Sequence, residues 1–345
     1  MQPIKSFSQE GLEGLLASYG QPKFRAKQLV QWLYQKHARS YDEMTNLPQS
    51  LRDSLEENNP LLWAQIVDKR ISVDGTRKYI VEYSDGLTTE MVAIPSQDRL
   101  TVCFSTQVGC AMACDFCATG REGFTRNLLP GEIIDQIVLA EEDFGMRVSN
   151  VVGMGQGEGF LNYDNTIAAL HYINGKDALN IGARHITVST CGIISGIQKW
   201  EKEPEQFTLA ISLHSAVQET RDMMMPKVKN QTLSELRAAL KHYTEVTNRR
   251  VTFEYIMIDG VNDTDEHLQA LINYCNGLLC HVNLIPINSV DDSIYQPSPK
   301  KRLQYFVNEL DRAHVEATVR QSRGSDIDGA CGQLKNKRAK EMGQQ

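Results

Sequence analysis

The sequence predicts an α/β protein: a partial (β/α)6-type barrel, preceded by a small N-terminal helical domain and a short β-hairpin linker. Three observations carry that expectation. β-branched runs alternate with helical periodicity from about residue 100 onward, the first 60 residues are helical in pattern, and a period-two stretch with Asp-Gly turns lies between them. The chain has 345 residues, 41% of them hydrophobic and 23% charged, which suits a sizeable core and excludes a disordered or fibrous protein. No apolar run approaches the ~20 residues of a membrane span. The opening Met1-Gln2-Pro3-Ile4-Lys5-Ser6 lacks the apolar core of a secretory signal, so a cytoplasmic protein with no membrane segment is expected.

In residues 1–60, apolar side chains recur at helical spacing over 11–19 and, after Pro22, over 24–34; a third helix is expected at 48–57. Up to position 40 this domain carries six basic residues (Lys5, Lys23, Arg25, Lys27, Lys36, Arg39) against two acidic ones (Glu10, Glu13). That surplus reads either as an RNA-facing patch or as an ordinary solvated helix face.

Residues 61–98 form the linker. Ile71 and Val73, then Tyr79, Val81 and Tyr83, alternate about an Asp74-Gly75 turn, and a second turn at Asp85-Gly86 leads into 88–95. Ile80 breaks the alternation, so the outer face of this hairpin is expected to be partly covered.

The barrel is expected over 99–322. Its strand candidates are 100–104, 150–154, 185–189, 207–213, 251–258, 281–287 and 317–320, with helical patterns between them, for example at 131–142, 232–246 and 266–276. Such alternation means βαβ units and a parallel sheet, with the chemistry in loops at the C-terminal strand ends. Six or seven strands fall short of the eight that close a TIM barrel. A C-terminal segment, 323–345, follows, and no internal repeat is present.

The net charge of −7, from 36 basic and 43 acidic residues, gives no overall support to nucleic-acid binding, which must be argued locally. The eight cysteines are too few for a disulfide scaffold, but four of them fall between Cys103 and Cys117. Within that stretch, Cys110-Ala111-Met112-Ala113-Cys114-Asp115-Phe116-Cys117 has the spacing C-x3-C-x2-C. Three thiolates so close suit an iron–sulfur cluster that leaves one iron without a protein ligand. The competing reading is a zinc site with Cys103 as fourth ligand.

The pattern C-x3-C-x-aromatic-C resembles the radical S-adenosylmethionine (SAM) enzymes, and its surroundings resemble the RlmN/Cfr family of radical SAM RNA adenine methyltransferases. The resemblance rests on Cys103-Phe104-Ser105-Thr106-Gln107-Val108-Gly109-Cys110, on Cys117-Ala118-Thr119-Gly120, and on Asp326-Ile327-Asp328-Gly329-Ala330-Cys331-Gly332-Gln333-Leu334. Weaker matches are Phe24-Arg25-Ala26-Lys27-Gln28, Met44-Thr45-Asn46-Leu47-Pro48 and Met257-Ile258-Asp259-Gly260-Val261-Asn262-Asp263.

What the resemblance implies is specific. The fold would be a radical SAM partial barrel, and the helical domain an RNA-binding accessory. Cys110, Cys114 and Cys117 would hold a [4Fe-4S] cluster whose open iron binds the amino and carboxyl groups of SAM. Cys331 would accept a methyl group from a first SAM and carry it as S-methylcysteine. Cys103 would later form a disulfide with it. Glu90, an isolated carboxylate in a strand pattern, would serve as general base or proton relay. Gly157, Glu158, Ser189, Ser212, Leu213, His214 and Asn288 would contact SAM, two molecules of which are used per turnover. Polar residues at C-terminal strand ends can line one ligand site, although each alone also reads as a turn or cap residue. Where the family usually shows Gly-Met-Gly-Glu-Pro, this chain has Gln156 and Gly159 in place of Met and Pro, which predicts a less rigid loop. Cys191, Cys275 and Cys280 read as structural.

The implied reaction is methylation of adenine C2 in 23S rRNA near the peptidyl-transferase centre, and in tRNA just 3′ of the anticodon. C2 is not nucleophilic, so a radical route is needed: a second SAM yields a 5′-deoxyadenosyl radical that takes hydrogen from the methyl on Cys331. The carbon radical adds to C2, and Cys103 releases the product. The implied partners are these RNAs and an electron donor such as a flavodoxin, with a monomeric enzyme. Methylation at C8 is the nearest alternative. A zinc-binding RNA protein and a radical SAM enzyme acting on a small molecule are more distant ones. The last 46 residues hold ten basic against six acidic residues, including Lys335, Lys337, Arg338 and Lys340, and offer phosphate contacts or a solvated tail.

Overall fold

A computed structural model describes residues 1–288 and 294–334. All seven expected barrel strands form, within a residue or two of their expected bounds, and pair side by side in chain order. They are β4 (Arg99–Cys103), β7 (Asn150–Gly153), β8 (Ile186–Thr190), β9 (Thr208–Ser212), β10 (Val251–Met257), β11 (Cys280–Pro286) and β12 (Ala317–Val319), all parallel. Helices such as Pro130–Phe144, Leu233–Thr247 and Asp265–Cys275 make the crossovers. Val102, Val151, Val188, Leu209, Ile211, Phe253 and Leu284 are fully buried, as the strands of a helix-covered parallel sheet require. The sheet ends at β12, so it is a partial barrel.

The hairpin region differs from expectation. Rather than a separate small sheet, β1 (Gln65–Ile71), β2 (Arg77–Glu82) and β3 (Thr88–Ser96) run antiparallel and continue the barrel sheet, giving ten strands in the order β1-β2-β3-β4-β7-β8-β9-β10-β11-β12. The tight turn at Gln97, which has φ 52°, folds β3 back on β4 and sets Val92 opposite Cys103. Tyr79, Ile80 and Val81 are all buried, so the broken alternation reports a sheet covered on both faces. A second, two-stranded sheet pairs β5 (Gln107–Gly109) with β6 (Phe124–Asn127) around the cysteine loop. Neither strand carries a period-two apolar pattern, so nothing in the sequence announced it.

Segment 323–334 returns from β12 to the far hairpin. Asp326 accepts from Ser72 Oγ at 2.6 Å and from Val73 N at 3.2 Å, and Gly324 N donates to Asp74 Oδ2. Lys335, Lys337, Arg338 and Lys340 lie outside the described residues, and among the described residues no helix is long and apolar enough to cross a membrane.

Helices Gln9–Ser18, Phe24–Tyr34 and Gln49–Asn58 make up the N-terminal domain around Leu12, Leu16, Leu29, Leu33, Leu51 and Leu55. Three of the six basic residues up to position 40 pair with barrel carboxylates: Lys5 with Asp135, Lys27 with Asp177 at 3.0 Å, and Arg39 with Glu142 at 2.6 Å, the last two from exposed positions. The Lys5–Asp135 pair is fully buried, with Asp135 also accepting from Ala64 N. Burial lowers Lys5 to about 8 and raises Asp135, each against the pull of its partner, so desolvation outweighs attraction for both. Removing one partner strands a charge. Lys5→Met alone is expected to cost about 3–5 kcal/mol, and adding Asp135→Leu should recover part of that, both read by urea denaturation.

Candidate active site

The cysteine loop lies between β5 and the short helix Ala118–Glu122. Two glycines allow its close turns. Gly109 has φ +74°, and a Cβ there would sit 2.1 Å from Gly123 O; a Cβ on Gly120 would sit 2.8 Å from both the N and the O of Cys114. The loop folds the thiols of Cys110, Cys114 and Cys117 into one another's field. Burial raises Cys110 to about 12, with the Cys114 and Cys117 charges acting in the same direction. Phe116, the aromatic of the pattern, packs edge-on against His214 at 4.8 Å. Asp115 N donates to Met224 O, and Tyr295 Oη donates to the Asp115 carboxylate.

Segment 323–334 is sewn to this loop. Ala118 N donates to Gly332 O at 2.8 Å, and Thr119 Oγ1 to Leu334 O at 2.6 Å. Cys331 therefore opens into the same cavity as Cys117 and Cys103, which Asn288, Met154 and Arg320 also line. All these thiols are free. Cys103 interacts electrostatically with Cys331 and Arg320. Burial pushes its thiol up to about 12, helped by Cys331 and opposed by Arg320. The Arg320 guanidinium is itself held up by charge at Cys331 and lies 3.7 Å from Glu254.

Glu90 does not line the cavity. It sits two residues along β3 from Val92, which does, on the same face of the strand. Its carboxylate is buried and ion-paired with Lys78 Nζ at 3.2 Å, and Lys78 also donates to Asp328 O. Of the seven expected SAM contacts, Asn288 reaches the cavity and donates to Cys331 O at 3.2 Å. The others lie at or just after strand ends, and of these Glu158 and His214 meet the cysteine loop, at Cys110 and Phe116. Gly157 has φ +105° and no room for a Cβ beside Gln107. Both oxygens of buried Glu158 accept backbone N–H groups, from Phe160 at 3.0 Å and from Cys191 at 2.6 Å. Burial raises its pKa, and its charge is felt at Cys110. Ser189 Oγ donates to Gly153 O, Leu213 is buried, and Ser212 O lies 3.5 Å from Arg221. His214 accepts from Ile256 N at Nδ1.

Three features were not anticipated. The loop carrying Gln156 is held, not loosened: Glu90 N donates to Gln156 Oε1, Ser105 Oγ accepts from Gln156 N, and Thr106 N and Gln107 N donate to Gln156 O. Cys191, read as structural, sits beside Cys114. Arg320 directly follows the last strand, a position the strand-end rule flags but no motif names.

Comparison with known proteins then decides the family. Residues 3–60 match the model for the ribosomal RNA large subunit methyltransferase N-terminal domain, and residues 104–274 match the radical SAM superfamily. Relatives described as "probable dual-specificity RNA methyltransferase RlmN" are 44% identical in Clostridium novyi over 97% of this chain and 98% of that one, and 44% identical in Synechococcus elongatus over 98% and 94%. The chain belongs to the RlmN family of radical SAM methyltransferases. A crystal structure of a radical SAM methyltransferase from Sphaerobacter thermophilus superposes with a TM-score of 0.90 at 41% identity, over 97% of this chain and 99% of that one. As an RlmN-type enzyme it is a SAM-dependent RNA methyltransferase that uses a [4Fe-4S] cluster.

The residues present fit that cofactor. Three thiols converge on a loop whose glycines admit no side chain, and metal binding displaces the protons that burial otherwise retains. Gly120→Ala should therefore push Cys114 off its position. Overpacking of about 1–3 kcal/mol is expected to leave the circular dichroism spectrum intact while iron content after anaerobic reconstitution falls. Burial, then the Arg221 charge, lowers His214 to about 3. An unfolded histidine binds its proton near pH 6.5, so folded His214 stays neutral and stability declines as pH falls from about 6.5 towards 3. Imidazole NMR should show His214 unprotonated from pH 8 to 5.

Proposed function

We propose that this enzyme methylates C2 of adenine in 23S rRNA, near the peptidyl-transferase centre, and in tRNA, at the adenosine 3′ of the anticodon. The reading is carried by one observation: Cys331 and Cys103 open into one cavity, with Arg320 beside them and Cys117 in its wall. A small-molecule radical SAM enzyme has no use for such a pair.

Cys110, Cys114 and Cys117 would hold the cluster, with Gly157, Glu158, Ser189, Ser212, Leu213, His214 and Asn288 around SAM. When bound, these cofactors supply the methyl group and the hydrogen-abstracting radical that an unreactive C2 position demands. The chain's own residues do the rest. Cys331 carries the methyl carbon on sulfur, and its backbone carbonyl is fixed by Asn288. Glu90, ion-paired with buried Lys78 behind the cavity-lining Val92, serves as the relay that takes on the proton lost from C2. Cys103 gives up its own proton and attacks the Cys331 sulfur. The adduct would first give its unpaired electron back to the oxidised cluster; an S–S bond then forms as the Cys331 S–C bond breaks, and its electron pair moves to the carbon, which takes up a proton and stays on adenine as methyl. A two-electron reductant then restores both thiols. Arg320, which lowers the Cys103 pKa, favours that thiolate. The target base must leave its stack to reach the cavity. A flavodoxin-like electron donor, a monomeric state and a cytoplasmic location complete the proposal.

Anaerobic incubation with SAM, reductant and unmodified ribosomal RNA or tRNA, followed by nucleoside mass spectrometry, tests it. 2-Methyladenosine is expected; 8-methyladenosine, or no methylated adenosine from an intact cluster, overturns the reading. Cys331→Ala should keep the cluster and lose methyl transfer by at least about 10³-fold, since covalent catalysis has no substitute carrier; full activity in that variant removes the mechanism.

A further inference from the structure

Lys78 is a buried cation in an otherwise apolar stretch of β2, followed by Tyr79, Ile80 and Val81, and is 3% exposed. The antiparallel register sets Lys78 opposite Val92 and Ile80 opposite Glu90, so all four share one face of the sheet. Val92 in turn lies opposite Cys103. Lys78, Val92 and Cys103 therefore form one row across three strands, and the last two line the cavity. The Lys78 ammonium bridges two segments of the chain: Nζ lies 3.2 Å from Glu90 Oε1 and donates to Asp328 O at 3.3 Å, three residues before Cys331. A buried ion pair is weak evidence for stability, since apolar residues of similar volume often do as well or better. A cation kept in this row points instead to a use of its charge. Other bonds fix both of the segments it touches. Glu90 N donates to Gln156 Oε1 at 3.1 Å, and Glu90 O accepts from Ser105 Oγ at 2.6 Å. The C-terminal segment is tied through Asp326 to Ser72, and through Gly332 and Leu334 to the cysteine loop. What Lys78 adds is positive charge against the Glu90 carboxylate.

We propose that Lys78 is a positioning residue of the methyl-transfer site, seated by Asp328 O so that its charge holds Glu90 as a carboxylate ready for the C2 proton. The inference rests on the reading of Glu90 as that relay. The titratable groups on the elements packed around Glu90 are Lys78 on β2, Cys103 on β4, Glu158 beyond Gln156, Arg320 after β12, and Asp328 and Cys331 in the C-terminal segment. Lys78 stands at ion-pair distance from the carboxylate. A neighbouring cation favours the charged form of a carboxyl group, whereas burial opposes it. Without Lys78, buried Glu90 keeps its proton to higher pH and is unable to take another over more of the pH range. In the step itself one proton leaves C2 for Glu90, and the electron pair of the C–H bond stays on the adenine. Lys78 is left against a neutral acid; it is neither oxidised nor reduced, and no covalent bond forms or breaks on it.

The test uses the full-length protein, reconstituted anaerobically, as wild type, Lys78→Met, Lys78→Arg and Glu90→Gln, compared at equal iron content. Each is given SAM, reductant and unmodified ribosomal RNA for a single turnover. Breakdown of the covalent protein–RNA adduct to methylated RNA is then followed across about pH 6 to 9. At about pH 7, Lys78→Met should resolve the adduct at least about tenfold more slowly than wild type. Its rate should go on rising with pH where the wild-type rate has levelled off. Lys78→Arg, which keeps the charge, should follow the wild-type profile. A Lys78→Met rate equal to wild type overturns the proposal. So does a loss of the same size at every pH, the mark of a merely structural role. Should Lys78→Met not fold, Lys78→Met/Glu90→Gln, which strands neither charge, is compared with Glu90→Gln: equal rates are expected, and a further loss overturns the proposal. A Glu90→Gln variant as fast as wild type overturns the relay reading itself, a result distinguishable from the others.

Discussion

Everything at this site depends on the seam between the cysteine loop and the C-terminal segment. Ala118 N to Gly332 O and Thr119 Oγ1 to Leu334 O join chain positions more than 200 residues apart. They set Cys331 against Cys117 and across from Cys103. Net of water, each such bond contributes about 1 kcal/mol, and of residues 329–334 Cys331 and Gly332 stay partly exposed while the others are buried. The segment is positioned without being locked. That suits a cysteine that, in the proposed reaction, meets in turn a methyl donor, an adenine and a second thiol.

The interior around the seam handles charge by pairing. Lys78 lies against Glu90, and Arg320 lies between the Cys103–Cys331 pair and Glu254. Breaking one member of such a buried pair leaves a charge without compensation, which is dearer than the pair itself is stabilising. The docking of the helical domain obeys the same rule through Lys5 and Asp135. Basic residues that composition alone offered to RNA are in part the fasteners of the N-terminal domain: Lys27 and Arg39 reach Asp177 and Glu142 on the barrel.

Burial also sets the resting protonation of the site. Cys103 and Cys110 are both pushed to about 12, and His214 is lowered to about 3. The thiols are thus protonated and the imidazole neutral at physiological pH, a low-charge interior that iron, with its own positive charge, would convert.

Much of this was legible beforehand, for a definite reason. Parallel strands covered by helices leave near-continuous β-branched runs, so β4 and β7 to β12 could be read from periodicity, and the C-x3-C-x2-C spacing marked the loop before any coordinates. What sequence could not give was adjacency without a local pattern. The short strands β5 and β6 have no alternating apolar signal, and the continuation of the hairpin into the barrel sheet rests on a two-residue turn at Gln97. Cys191 reads as one cysteine among several until β8 brings it to Cys114, and Gln156 reads as a loosened loop until Glu90, Ser105, Thr106 and Gln107 close on it. The sequence by itself determined which elements form and which thiols are chemically marked, because both are written in local spacing. Only the tertiary structure decided that Cys331 meets Cys103 beside Arg320, and that Glu90 stands behind the cavity wall on Lys78, because those contacts arise from hydrogen bonds and ion pairs between distant segments.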